Sequence, residues 1–259
     1  MPDTVRAGSS EHPVGMPLSE LAYRTLRDRI LRCEIEPGEK LKIDMLQREH
    51  GFSSSPLREA LNRLVTEGLV QADERRGFRA ATVSGDDLMD VTRLRLLLDV
   101  EALMESMRVG DDAWEARIVS AQHWLARIEE RAAEAGANTP LTLNAEWSVR
   151  HKDFHMALLS ASASPKLLLM CSNLFDQAER YRRLSMRHRK EPRHKAAEHR
   201  RIMDAVLRRD HAAARSLLCD HISRTADNVL AALERLAREG TARSIDCRMP
   251  ARRAAAERL

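Results

Sequence analysis

The chain has 259 residues, of which 43% are apolar and 32% charged, a soluble globular balance for one large domain or two small ones. No run approaches the ~18 apolar residues of a membrane span, and the opening MPDTVRAGSSEHPVGMP has no apolar h-region. The expectation is a cytoplasmic protein with no secretory signal and no membrane contact. The scattered cysteines Cys33, Cys171, Cys219 and Cys247 exclude a cysteine-type zinc ribbon and fit reduced thiols.

Aromatics are 3% of the chain, while Leu, Ala, Arg and Glu dominate, which is the profile of a mostly helical protein. The net charge of +4 is modest. Residues 17–80 hold 12 Lys/Arg against 11 Asp/Glu, so a DNA-binding role for this part must rest on a local motif.

Residues 1–17 are polar and read as a disordered arm. From Leu18 the pattern turns helical, with Leu18, Leu21, Ala22, Leu26 and Ile30 in register. Glu36 to Glu39 is a turn, and a second helix follows near Ile43–Glu49. Gly51 suits its left-handed cap. Ser53-Ser54-Ser55-Pro56 then reads as a serine cap with proline at the first helical position, opening a helix from Leu57 to Glu67 that Gly68 closes. The period changes over 69–72 and 78–83, two short extended runs about the charged turn Asp73 to Gly77, which is a β-hairpin. From Ser84 on, the pattern is helical throughout. Ser84 caps a helix to about Val109, Asp111-Asp112 opens another to about Ala135, and residues 136–140 break the pattern. Further helices are predicted over 141–160, 164–188, 193–209 and 211–238. The fold class is therefore mainly α. A winged helix-turn-helix over 18–83, with a small hairpin wing, precedes an all-helical bundle over 84–237 and a flexible basic tail over 238–259.

The second helix of a helix-turn-helix enters the major groove and contacts bases through its N-terminal residues. Here those are Ser53, Ser54, Ser55 and Arg58. Hydroxyls and helix N-terminal amides suit phosphate oxygens, and an arginine one turn in suits a guanine edge. The wing carries Arg75, Arg76 and Arg79 around Gly77, suited to phosphates or the minor groove. The alternative for these arginines is a solvated face of a small bundle.

GFSSSPLREALNRLVTEGLV followed by ERRGFRAATVS resembles the DNA-binding domain of GntR-family bacterial transcription regulators. The resemblance implies DNA-contacting roles for Ser53, Ser55, Arg58 and Gly77. Where the family usually has Arg this chain has Ser54, and where it often has Arg this chain has Asp44, so a non-standard operator is expected. The helical remainder resembles the FCD ligand-binding domain of the FadR-type subgroup, through Arg95-(x3)-Asp99, Asp153-Phe154-His155, His199 and His221. Gly110 to Arg117 is similar to carbon-starvation repressors of that subgroup that respond to glutarate.

Periodicity places His151, Phe154, His155, Leu158 and Leu159 on one stripe, His199, Ile202, Met203 and Val206 on a second, and Leu217, Leu218, His221 and Thr225 on a third. Four inward histidines on three helices suit a divalent transition metal, zinc or nickel by donor type. The resemblance implies a site of one carboxylate and three histidines. His155, His199 and His221 match the histidines, while His151 stands at the carboxylate position and Asp153 should point elsewhere. The site holds a metal with four neutral ligands, or with three and none from His151; a metal-free polar pocket is the alternative. Arg95, at a family pocket position, and Arg183, in the run Arg180, Arg182, Arg183 and Arg187, would favour an anionic guest, a small carboxylate. For most of that run a solvated face or an inter-subunit contact is the expected role.

The sequence therefore reads as a ligand-responsive regulator, a repressor acting as a homodimer on double-stranded operator DNA and released by a small carboxylate. A metal-dependent enzyme with an accessory winged helix is the rival from another class. The histidine stripes offer it no general base, since Asp220 should point off the face of His221. A ligand-independent DNA-binding protein with a dry core is the third reading.

Overall fold

The computed structural model of the chain describes residues 16–73, 77–134, 144–186, 196–238 and 245–246. Its N-terminal unit comprises α1 (Leu18–Leu31), β1 (Lys40–Leu41), α2 (Ile43–His50), α3 (Ser54–Thr66), β2 (Val70–Asp73) and β3 (Gly77–Ala80). The α1 stripe buries Ala22, Tyr23, Leu26 and Ile30 against Leu57, Ala60, Leu61 and Leu64 of α3. Each of those buried leucines contributes about 1.5–3 kcal/mol relative to an exposed one. Gly51 closes α2 at φ 72, the left-handed cap expected of it.

Two details of this unit differ from the sequence expectation. The third helix begins at Ser54, with Ser53 as its cap residue, so Pro56 is third in the helix and not first. Its missing N–H costs nothing there, because the first turn has no intrahelical acceptor. The wing is a three-stranded sheet in the order β1-β3-β2, not a bare hairpin. Lys40 pairs with Arg79 and Leu41 with Phe78 along the outer edge of β3. Gly38, at φ 79, makes the turn that feeds β1, donating its N–H to the Ala80 carbonyl.

The linker β4 (Val83–Ser84) leads into α4 (Gly85–Val109), α5 (Asp112–Glu134), α6 (Ala145–Leu159), α7 (Pro165–Met186), α8 (Ala196–Leu207) and α9 (His211–Arg238). Ser84 caps α4 as expected, its hydroxyl accepting from the Asp87 N–H, and Asn144 caps α6 by accepting from Glu146 and Trp147. In the bundle α4 packs on α7 and α9, α5 on α6 and α8, and α8 on α9. Trp114, Ile118, Phe154, Leu158, Ile202 and Leu218 lie in its core. None of the described helices is long and apolar enough to cross a membrane.

Most of the arm and of the tail lies outside the described residues. Ile245–Asp246 forms a short strand, β5, parallel to β4 at the junction between the units.

Candidate functional site

The i, i+4 spacing on α6 brings His151 and His155 onto one inward face, where His199 of α8 and His221 of α9 meet them. One ligand atom from each lies within 4.8 Å of the others, and all four side chains are buried. This donor set can hold a divalent metal, and its all-nitrogen chemistry fits zinc, nickel or copper better than manganese. His221 Nδ1 lies 3.0 Å from Glu198 Oε2. A carboxylate can only accept there, so Nδ1 carries the proton and Nε2 is left as the ligand atom. Arg224 holds the other Glu198 oxygen at 3.0 Å. Trp147, one helical turn before His151, stacks on its ring at a centroid distance of 4.4 Å.

Asp153 stays out of the cluster, facing Arg150 on the surface, and Asp220 is exposed. Both agree with the expected facing of these residues.

Beside the imidazoles lies a cavity of about 30 Å³, lined in part by Arg95, Phe175, Glu179, Arg182 and Thr225. That is room for one or two waters or for the head of a small ligand. Arg95 Nε donates to Asp99 Oδ2 at 3.0 Å. Arg182 Nε donates to Glu179 Oε2 at 2.7 Å, and Arg183 Nε donates to Glu179 Oε1 at 3.1 Å. Of the lining residues two are guanidiniums and one is a carboxylate, which leaves the wall cationic before any metal is counted. Burial pushes the Glu179 carboxyl up, but Arg182, Arg183 and the Ser148 hydroxyl outweigh it and hold it below its ordinary range. Burial drives the Cys171 thiol up to about 12, with Asp99 adding to the effect, so it stays protonated at neutral pH.

The arginine run is not a solvated face. Arg180, Arg182 and Arg183 are 4%, 4% and 6% exposed, because Arg180 is enclosed at the junction of the units, where it donates to the Ala81 carbonyl, while Arg182 and Arg183 close on Glu179 inside the bundle. Arg182, not Arg183, is the member that lines the histidine cavity; Arg183 reaches it through Glu179. Arg187 lies outside the described residues. Sequence reasoning missed Arg182, Glu179 and Glu198 as site residues. The signal for Glu198 was its place beside His199, and for Arg182 its i, i+3 spacing from Glu179.

In the N-terminal unit Ser53, Ser54, Ser55 and Arg58 are all exposed at the start of α3. Ser53 makes no capping hydrogen bond, and Ser55 Oγ reaches Glu59 at 3.4 Å. Gly77 is exposed at φ 85, a conformation other residues rarely adopt. Arg75 and Arg76 lie outside the described residues. Arg79 donates to the Gly38 carbonyl at 3.1 Å and so braces the sheet. Asp44 is exposed in the first turn of α2 and pairs with Arg48 at 3.1 Å.

Residues 18–79 match the bacterial regulatory proteins of the gntR family, and residues 90–224 match the FCD domain. The chain is 37% identical over 205 residues to the uncharacterized HTH-type transcriptional regulator BphR of Paraburkholderia xenovorans, covering 79% of this chain and 82% of that protein. It is 35% identical over 208 residues to the HTH-type transcriptional repressor GlaR of Escherichia coli, covering 77% of this chain and 90% of that one. Among solved structures, E. coli McbR/YncC has the same fold, with a TM-score of 0.68 at 18% identity over 83% of this chain and 98% of that one. These families and relatives are transcription regulators, not enzymes, which removes the catalytic alternative. The chain belongs to the GntR family of bacterial regulatory proteins, with a winged helix-turn-helix followed by an FCD domain.

Proposed function

We propose that this regulator is a cytoplasmic homodimeric repressor that senses a small carboxylate at a metal held by His151, His155, His199 and His221. GntR regulators bind operator DNA and FCD domains bind small-molecule effectors. The observation that carries the finer reading is the convergence of four buried imidazoles within 4.8 Å on three helices. When bound, a divalent transition metal supplies a Lewis-acidic cation for a carboxylate oxygen. Arg95 and Arg182 add positive charge to the same cavity, and the buried Thr225 hydroxyl, with no hydrogen-bond partner among the described residues, offers a further contact. Arg183 acts through Glu179 rather than on the guest. A cavity lined by imidazoles and guanidiniums supports this reading over the dry core of a ligand-independent protein.

Ser53, Ser54, Ser55 and Arg58 are the DNA-reading residues in this proposal, with Arg75, Arg76 and Gly77 as the wing. The exposed Leu94 and Leu97 on α4 offer an apolar face for the second subunit. Metal analysis of protein purified without chelator, followed by operator-binding assays across a panel of small carboxylates, tests the reading. Metal bound in stoichiometric amount and a carboxylate that releases DNA are expected. Metal-free protein, or DNA binding indifferent to every carboxylate, would overturn it.

A further inference from the structure

A second cleft, of about 450 Å³, lies at the junction of the two units and shares no lining residue with the histidine cavity. Val70 and Gln71 of the wing form one wall, Thr82 of the linker the rim, and Gln177, Arg180 and Tyr181 of α7 the other wall. The volume is that of a small-molecule site. The close approach of the units is built in. Gly68 takes φ 71 there, and a Cβ on it would meet Gln177 Nε2 at 2.8 Å. Gln177 uses that nitrogen to donate to the Glu67 carbonyl.

Arg180 is the unusual member. It is 4% exposed, yet among the described residues it forms no ion pair. Nη2 donates to the Ala81 carbonyl at 2.8 Å, and Nε has no hydrogen-bond partner among the described residues. The acid in the same wall, Asp87, accepts the Tyr181 hydroxyl instead. A buried guanidinium without a carboxylate is costly, and burial depresses its basicity accordingly. The other arginines of this helix are matched by Glu179. The arginine with no ion pair among the described residues is the one that lines an open cleft, among amides, hydroxyls and apolar walls, with Asp87 acting on it from the same wall.

We propose that this cleft is a ligand site distinct from the histidine cavity, binding a small organic anion whose carboxylate or phosphate group pairs with Arg180. Gln71, Gln177 and Thr82 are placed to hydrogen-bond its polar body. Because its walls come from both units and Arg180 also holds the linker at Ala81, an occupant joins the DNA-binding unit to the FCD domain directly.

Isothermal titration of the full chain, stripped of metal with EDTA, would use malonate, D-glycerate, inorganic phosphate and glycerol 3-phosphate as probes. At least one is expected to bind without metal, and the carboxylate and phosphate arms identify the head group. Arg180→Gln keeps an amide for the Ala81 carbonyl but removes the charge. It should weaken that binding by about tenfold to a hundredfold, the scale of a hydrogen bond to a charged group. Ala72→Phe, which fills the cleft from the wing side, should weaken it too, and circular dichroism would verify folding of both variants. Arg95→Gln should leave it unchanged. No heat from any probe at millimolar concentration overturns the proposal. So does binding that needs metal, or that is lost in Arg95→Gln and kept in both cleft variants; either places the anion at the histidine cavity.

Discussion

Lys152 of α6 and Asp176 of α7 are joined by an ion pair, Nζ to Oδ2 at 2.6 Å, and Arg27 of α1 closes on the same carboxylate oxygen. Lys152 follows His151 in the chain, and Asp176 follows Phe175, which lines the histidine cavity. Arg27 belongs to the DNA-binding unit, where it also pairs with Glu67 at 3.4 Å. The Tyr23 hydroxyl donates to that same Glu67, the C-cap of α3. One carboxylate thus links the helix of two candidate metal ligands to the base of the DNA-reading helix. Burial raises the Asp176 carboxyl and outweighs the pull of both cations, so its charged form depends on Lys152 and Arg27 staying in place.

Asp176→Asn should therefore uncouple the units. The amide preserves shape but loses the charge for Lys152 and Arg27. The stability cost should be about 1–3 kcal/mol, as for a hydrogen bond to a charged group. Operator affinity would be followed by fluorescence anisotropy with and without the bound metal and effector. Wild type should show a shift in affinity between the two states, and the variant should show little. A variant whose response matches wild type would remove Asp176 from the coupling path.

Glu179 gives a pH signature. Its carboxyl lies below the ordinary 4.5 in the folded chain despite burial, because Arg182 and Arg183 favour its charged form. A depressed carboxylate stabilises the fold above its unfolded value and loses that contribution as pH falls through the lower folded value. Glu179→Gln should cost about 3–5 kcal/mol at neutral pH, since it leaves buried guanidiniums uncompensated. The gap to wild type should narrow as pH falls below 4.5 towards the lower folded value, where the wild-type carboxyl in the fold itself becomes neutral. Urea unfolding across this range would decide it; a gap independent of pH means the loss is one of packing.

The helices were readable because their apolar residues repeat at helical spacing, and the histidine stripes followed from the same repeat. Strand β1 was not readable, since two residues show no alternation and Lys40 and Leu41 are fixed only by their partners on β3. The arginines of α7 misled for a related reason. Arginine is normally solvated, and the burial of Arg180, Arg182 and Arg183 depends on Glu179 and on the neighbouring unit, which helical spacing does not reveal. The cavity could be anticipated as cationic from Arg95, but the choice of Arg182 over Arg183 rests on rotation of one helix by a single residue.

Arg58 is exposed one turn into α3 and engaged by no other described side chain. Arg58→Ala should cost about 1–3 kcal/mol of operator affinity if it reads a base, with the fold intact. Selection from a random DNA pool would first supply the operator. Ser54 offers no cation where family members usually carry one, and Asp44 is anionic, so the selected site should depart from the common family sequence. Unchanged affinity in Arg58→Ala, by gel shift, would remove Arg58 from the reading set.

His151 carries the sharpest test of the metal reading. It stands at the position where the resemblance implies a carboxylate, and in the fold it joins His155, His199 and His221 within 4.8 Å. Imidazole is neutral where carboxylate carries one negative charge, so this ligand set leaves the full charge of a bound cation uncompensated. Two consequences follow. The site should favour zinc, nickel or copper over manganese, by donor type. An anionic effector should also bind more tightly, because the ligand set offers no negative charge to oppose it. His151→Asp should reverse both, improving manganese binding and weakening the effector. Loss of the Trp147 stack on His151 should change tryptophan fluorescence as well, which gives a readout independent of DNA release. Metal content by mass spectrometry and effector affinity by calorimetry would be measured side by side for the two proteins. If the substitution leaves metal preference and effector affinity unchanged, His151 packs the cavity wall beneath Trp147 and the metal is held, if at all, by the other three.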